Sequence, residues 1–207
     1  MITAREALEL LRQGNRRFVA NLDAPGDARP SPAAPHGTNL PAQDPVAIIL
    51  GCADARVPAE LIFDQGLGDL FVIRVAGNIV APSLVGSVEF AASRFGTKLV
   101  VVLGHTRCGA IAATLEDLQD PAGHHSPNLR DIVERIRPAV AMVVAENAHS
   151  DAEDLALRAM RANIAYSVDH LRHDSPLMEQ LIRDEGVLVI GAEYSLETGE
   201  VTFFDQE

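Results

Sequence analysis

Residues 99–110 read Leu-Val-Val-Val-Leu-Gly-His-Thr-Arg-Cys-Gly-Ala, and the reading of this stretch decides the fold. Five consecutive Leu and Val residues do not alternate with polar ones. That is the pattern of a strand buried on both faces, as in a parallel sheet covered by helices. A short polar turn follows, and residues 108–118 return to helical spacing. Residues 46–58 repeat the arrangement: the apolar run Val46–Leu50, then Gly51, then Cys-Ala-Asp-Ala-Arg-Val-Pro. Two further runs, Leu70–Val75 and Val187–Ile190, have the same buried-strand composition. Between the runs lie predicted helices at Ala59–Phe63, Ser83–Phe95, Cys108–Leu118, Leu129–Leu171 and Pro176–Asp184. Ser150 and Glu153 form a capping box that splits the longest of these near residues 147–151. Ser175 before Pro176 is an N-cap with proline at the first helical position. Val201–Phe204, after the turn Glu197-Thr198-Gly199-Glu200, is predicted to pair as a hairpin with residues 187–194. The expected fold class is therefore α/β: a mostly parallel central sheet flanked by helices, with an antiparallel C-terminal edge strand.

Upstream of this core, residues 1–22 read as a helical arm. Leu8, Leu11, Phe18, Val19 and Leu22 fall at helical spacing, and Thr3 with Glu6 forms a capping box at the start. Residues 23–45 hold Pro25, Pro30, Pro32, Pro35, Pro41 and Pro45, half of the chain's 12 prolines. Proline fixes φ and removes a donor, so this stretch is a connector. The apolar stripe of the arm has no partner nearby in sequence, and packing across another subunit is the expectation, with folding back onto its own core the alternative. Residues 1–207 form one domain on this reading: arm 1–22, connector 23–45, core 46–207. Seventeen basic against 29 acidic residues give a net charge of −12. Such a surface repels phosphate backbones and anionic lipid, so neither nucleic acid nor a membrane is an expected partner. No apolar run reaches membrane-spanning length, the first residues lack a signal-peptide core, and a cytoplasmic location is expected.

The chain's two cysteines both lie just past the carboxyl ends of buried runs, where open α/β sheets place ligands. His105 and Cys108, three apart on a strand-to-helix turn, can converge on one metal ion, and Cys52 from the other loop supplies a third ligand. Two cysteines, one histidine and an open fourth position make a catalytic zinc set, whereas hard oxygen-seeking cations avoid thiolates. Taken alone, a His-x-x-Cys pair is more often a buried histidine beside a small apolar cysteine. A Cys52–Cys108 disulfide is a further alternative, disfavoured in a reducing compartment. Asp54 and Arg56 stand two apart in an extended loop and project to the same side. A guanidinium there holds the carboxylate in one orientation and keeps it a hydrogen-bond acceptor. By itself such a pair is usually an ordinary loop salt bridge; beside three metal ligands it reads as part of a site.

Cys52-Ala53-Asp54-Ala55-Arg56-Val57, followed by Gly104-His105-Thr106-Arg107-Cys108-Gly109-Ala110, resembles the β-class carbonic anhydrases. The resemblance extends to residues 62–64, 69–74 with Asn78, 86–90, and Gly191-x-x-Tyr194 with Gly199-x-Val201. It implies one zinc ion per chain held by Cys52, His105 and Cys108, with Asp54 and Arg56 as the catalytic dyad. It also implies substrate-pocket roles for Gln43, Phe71 and Gly109, and a homodimer or homotetramer whose sites lie at the subunit interface. Asp54 becomes a conditional fourth ligand in a closed form, since part of the family shows the carboxylate on zinc at lower pH. Ala53 and Ala55 stand where the family usually has serine. Arg74 and Tyr194 match two positions of a non-catalytic bicarbonate pocket, but its tryptophan position falls at Ile49.

The implied activity is the reversible hydration of CO2 to bicarbonate and a proton. Two rivals share the motifs: hydrolysis of CS2 or COS on the same scaffold, and a non-catalytic zinc- or bicarbonate-binding protein. The second would lack the dyad or fill the fourth position with a protein ligand.

Overall fold

In the computed structural model, residues 2–22, 43–120, 126–147 and 151–204 are described. The elements in order are α1 (Ala4–Ala20), β1 (Ala47–Cys52), α2 (Ala59–Ile62), β2 (Leu70–Val75), α3 (Pro82–Phe95) and β3 (Leu99–His105). They continue with α4 (Gly109–Gln119), α5 (Pro127–Glu146), α6 (Ala152–His173), α7 (Pro176–Glu185), β4 (Leu188–Tyr194) and β5 (Val201–Phe204). The five strands form one sheet in the order β2-β1-β3-β4-β5, parallel except for β5, which runs antiparallel to β4.

β1 and β3 are buried along their whole length, as their unbroken apolar runs require. Alternate side chains feed two layers. Ile48, Leu50, Val100 and Val102 pack with residues of α3 to α7. Ala47, Ile49, Leu99, Val101 and Leu103 pack with α1 and α2. Leu70–Val75 corrects the expectation of burial on both faces: β2 is an edge strand, and its residues are only half-buried apart from exposed Arg74.

The helical region after α4 forms the layer over one face of the sheet. α6 lies directly on β3 because Gly104 has no side chain; a Cβ there would come within 2.5 Å of Ile164. The cap of α6 is Asp151, whose side chain accepts from the Asp154 amide, and not the expected Ser150, which lies outside the described residues. The caps at Thr3–Glu6 and Ser175 form as expected.

Within its own chain α1 folds back onto the core, the alternative that the sequence reading left open beside packing across another subunit. Ala4, Ala7, Leu8 and Leu11 join the apolar layer beneath β1 and β3, while Leu22 stays exposed. Asn15 explains the fixed docking. Its side-chain amide donates to the Ile62 and Gly199 carbonyls and accepts from the Val201 amide. The connector's residues 23–42 lie outside the described residues.

The connections place the chemistry. From β1 the chain crosses to β2 on one side, then returns past β1 to β3 on the other. The crevice where the strand order reverses opens at the carboxyl ends of β1 and β3, which end at Cys52 and His105.

Candidate metal centre

Cys52 is the last residue of β1 and His105 the last of β3, and adjacent pairing brings both to one corner of the sheet. Cys108 returns to the same corner because Arg107 adopts a left-handed backbone, φ 56°, uncommon for a side chain of that size. Cys108 then N-caps α4. One ligand atom from each of the three residues lies within 4.8 Å of the others, and all three are buried. The two Sγ atoms are 3.9 Å apart, and both cysteines are free thiols, so the disulfide alternative is not what the structure holds.

The donor set fits a soft or borderline cation. His105 Nδ1 lies 2.9 Å from the Thr106 carbonyl, so Nδ1 carries the proton and donates to it. Nε2 is thereby left with its lone pair, buried and without a partner among the described residues. Two thiols and a correctly tautomerised imidazole, in one buried cluster, form the ligand chemistry of zinc. Between the thiols, Cys52 ionises first. The hydrogen bond from the Cys108 thiol pulls its pKa down, aided by His105 and by the Gly77 and Asp54 amides, against burial. Cys108 is pushed up by that neighbouring sulfur and by burial, while the Ala110 and Ile111 amides at the start of α4 oppose the rise.

Asp54 and Arg56 meet as the sequence reading expects. Arg56 Nε and its backbone amide donate to Asp54 Oδ1, and Arg56 Nη2 donates to Oδ2 at 2.7 Å. These bonds hold the carboxyl well below the usual carboxylate range, although partial burial works against them. Asp54 Oδ2 lies 3.9 Å from His105 Nε2, so the held carboxylate stands beside the ligand cluster and faces Arg56. Arg74, exposed at the end of β2, donates to the Cys52 and Asp54 carbonyls and so fastens the loop that carries them. The resemblance matches Arg74 to a bicarbonate-pocket position, and nothing local signals that it fastens this loop beyond a single charge within an apolar run.

The substrate-pocket candidates divide. Gly109 is the exposed first residue of α4, beside Cys108. Phe71 and Gln43 do not reach this corner of their own chain. Phe71 pairs with Ile48 near the amino end of β1 and packs against Phe90 and Phe95. Gln43 precedes β1, next to Gly68, so the full length of that strand, about 17 Å, separates it from Cys52. A cavity of 570 Å³ touches the cluster at Cys108 and is lined by Ile111, Ala112, Leu157 and Met160. Asp54 and Arg56 do not line it, and on their side Ala53, Ala55 and Arg56 are exposed.

Comparison with known proteins gives consistent results. The family model described as carbonic anhydrase matches residues 47–201. Carbonic anhydrase 2 of Mycobacterium tuberculosis (strain ATCC 25618 / H37Rv) is 36% identical over 203 residues, covering 96% of this chain and 92% of that protein. A carbonic anhydrase of Mycolicibacterium smegmatis is 43% identical over 140 residues, covering 66% of this chain and 64% of that protein. A crystal structure from work on two tetrameric β-carbonic anhydrases of the ascomycete Sordaria macrospora superposes with a TM-score of 0.72. It is 25% identical and covers 80% of this chain and 83% of its own. A match running from the first residue of β1 to the first residue of β5, on a sheet of this order, leaves one assignment: the chain belongs to the β-class carbonic anhydrases.

Proposed function

We propose that the chain catalyses the zinc-dependent, reversible hydration of CO2 to bicarbonate and a proton. The observation that carries this is the Asp54 carboxylate held by Arg56 beside a buried Cys52–His105–Cys108 cluster. Cys52 and Cys108 as thiolates and His105 through Nε2 would hold one zinc ion per chain. When bound, zinc supplies the Lewis acidity that makes water a nucleophile toward CO2 near neutral pH. The chain's own residues supply orientation. The Thr106 carbonyl fixes the His105 tautomer, and Thr106 is itself held by Glu197 and the Leu196 amide. Asp54 accepts a hydrogen from the reacting water and so sets which way its lone pair points. Arg56 keeps Asp54 ionised and turned to that task and not onto the metal, the arrangement of an open site. CO2 is small and apolar, so few polar groups are needed to receive it.

The same proposal places Gly109 at the pocket of its own chain, and Gln43 and Phe71 at the pocket of another copy in a homodimer or homotetramer. Support comes from their position at the opposite end of β1 and from the half-buried edge strand β2. A cytoplasmic location accords with the acidic composition and with the finding that no described helix is long and apolar enough to cross a membrane. Stopped-flow CO2 hydration on the zinc-loaded full chain tests the reading. A rate well above buffer, retained at low CS2 turnover, is the expected result. Stoichiometric zinc with no hydration of CO2 overturns it, in favour of CS2 or COS hydrolysis if those turn over and of a binding protein if they do not.

A further inference from the structure

After β2 the chain makes a single 3-10 turn, Ala76–Asn78, in which Gly77 (φ 73°) and Asn78 (φ 43°) both take left-handed backbone. A Cβ on Gly77 would come within 2.7 Å of Ile136 and 2.9 Å of Ala110, so only glycine fits. The result of this conformation is one contact: the Gly77 amide donates to Cys52 Sγ at 3.4 Å. Two side chains one turn apart on α6 hold the turn in place. Asn163 Nδ2 donates to the Gly77 carbonyl at 2.8 Å, and Ser167 Oγ donates to the Asn78 carbonyl at 3.2 Å. Both residues are at most 2% exposed.

This buried polar group is costly. Asn163 Oδ1 and Asn78 Nδ2 have no hydrogen-bond partner among the described residues. An unsatisfied buried polar atom costs more than a typical hydrogen bond gains, so stability alone would favour apolar side chains here. A costly polar group beside a metal ligand is expected where function requires it.

We infer that Asn163 and Ser167 are positioning residues for the metal centre: they hold the Ala76–Asn78 turn so that the Gly77 amide donates to the Cys52 sulfur and tempers its electron donation to the bound cation. The inference rests on the metal reading above and adds residues from α6, more than 50 positions beyond the last ligand in sequence. An N–H hydrogen bond to a ligating sulfur lowers the energy of its lone pairs. Without the bond, sulfur-to-metal charge transfer falls to lower energy.

The test uses the full-length chain loaded with Co²⁺, which reports thiolate ligation by absorption, and zinc affinity by chelator competition. Asn163→Ala and Ser167→Ala should each move the sulfur-to-cobalt band to longer wavelength, and zinc binding should weaken by about tenfold in the first, the scale seen when outer partners of metal ligands are removed. Ser167→Ala removes one hydroxyl and serves if Asn163→Ala does not fold. A folded variant of either kind whose band and zinc affinity match the wild type overturns the inference and leaves the metal centre standing. A wild type with no sulfur-to-cobalt band overturns both.

Discussion

Among the described residues, each face of the sheet buries one asparagine of an α-helix, and the two are handled differently. Asn15, in α1, has its side-chain amide shared between the Ile62 and Gly199 carbonyls and its oxygen on the Val201 amide. Asn163, in α6, reaches the Gly77 carbonyl, and its own oxygen has no partner among the described residues. Net, a satisfied buried hydrogen bond stabilises modestly, whereas an unsatisfied atom costs more than a bond gains. The α1 face is therefore arranged for stability, with its amide acting as a dock between a helix, α2 and the C-terminal hairpin. The α6 face tolerates a deficit next to Cys52 and Cys108, which both belong to that layer. If this contrast is right, substitutions on the α6 side and at its rim should alter the chemistry first, and those on the α1 side should alter stability first.

The largest effect is expected at Cys108. Cys108→Ser replaces a thiolate by a hydroxyl that does not ionise near neutral pH, so metal and CO2 hydration should be lost together. Metal analysis and stopped-flow on the same sample read both. Stoichiometric zinc in the variant would remove Cys108 from the ligand set. Stripping zinc from the wild type with a chelator should give the same inactive state, and added zinc should restore it.

Arg56→Ala comes next. It removes both side-chain hydrogen bonds to Asp54 and leaves only the residue-56 backbone amide. A freed carboxylate would have a metal held by the Cys52–His105–Cys108 cluster as its best remaining partner, which biases the site toward closure. Turnover should fall by about tenfold to a hundredfold at every pH tested, with the melting temperature little changed because Arg56 is exposed. Unchanged turnover would show that Arg56 does not govern Asp54.

How far the sequence alone reaches follows the same division between local and distant. Cys108 and His105 were legible because one turn holds both, and Asp54 and Arg56 because an extended loop puts residues two apart on one side. β1 and β3 were legible because full burial leaves an uninterrupted apolar run. The same rule misread Leu70–Val75, since an edge strand with an apolar exposed side looks identical in sequence to a covered one. Nothing local in Asn163 distinguishes it from a surface asparagine on a helix; its role appears only when α6 lies against the turn after β2. Gln43 and Phe71 show a further limit. The resemblance assigns them to the pocket, and a single chain puts them at the far end of β1; on the proposal that another copy's pocket receives them, no one sequence lays the site out. For α1, helical spacing identified the apolar stripe but not its partner: Leu8 and Leu11 would suit any apolar surface, and Asn15 is what selects this one.

On the stability side, Asn15→Leu should be the most damaging single change in α1. The side chain is nearly isosteric, and it leaves the Val201 amide and two carbonyls without their partners in a buried setting. A loss of about 3 kcal/mol is expected, or roughly 10 °C in melting temperature for a chain of this size. Zinc content and turnover per folded molecule should remain those of the wild type. A variant that loses zinc while keeping its melting temperature would reverse the assignment of the two faces.

The smallest effect concerns the start of the same helix and depends on pH. Glu6 accepts hydrogen bonds from the Thr3 amide and hydroxyl, and the Glu6 amide donates back to Thr3 Oγ1. The bond from the Thr3 amide, followed by that from its hydroxyl, holds the Glu6 pKa below its ordinary value. A carboxylate whose pKa is lower in the folded chain than in the unfolded one stabilises the fold in full above the unfolded value, near pH 4.3 for glutamate. That contribution fades as the pH falls through the folded value. Glu6→Gln keeps a carbonyl that accepts from Thr3 but loses the charge, which also favours the positive end of the helix dipole. The variant should therefore melt slightly below the wild type at pH 7, by a degree or two, and the gap should close as both are taken to about pH 3. Melting curves of the pair at the two pH values decide it. A gap that stays constant between them would show that the Glu6 charge does not stabilise α1, and that the dock at Asn15 holds the helix without help from its cap.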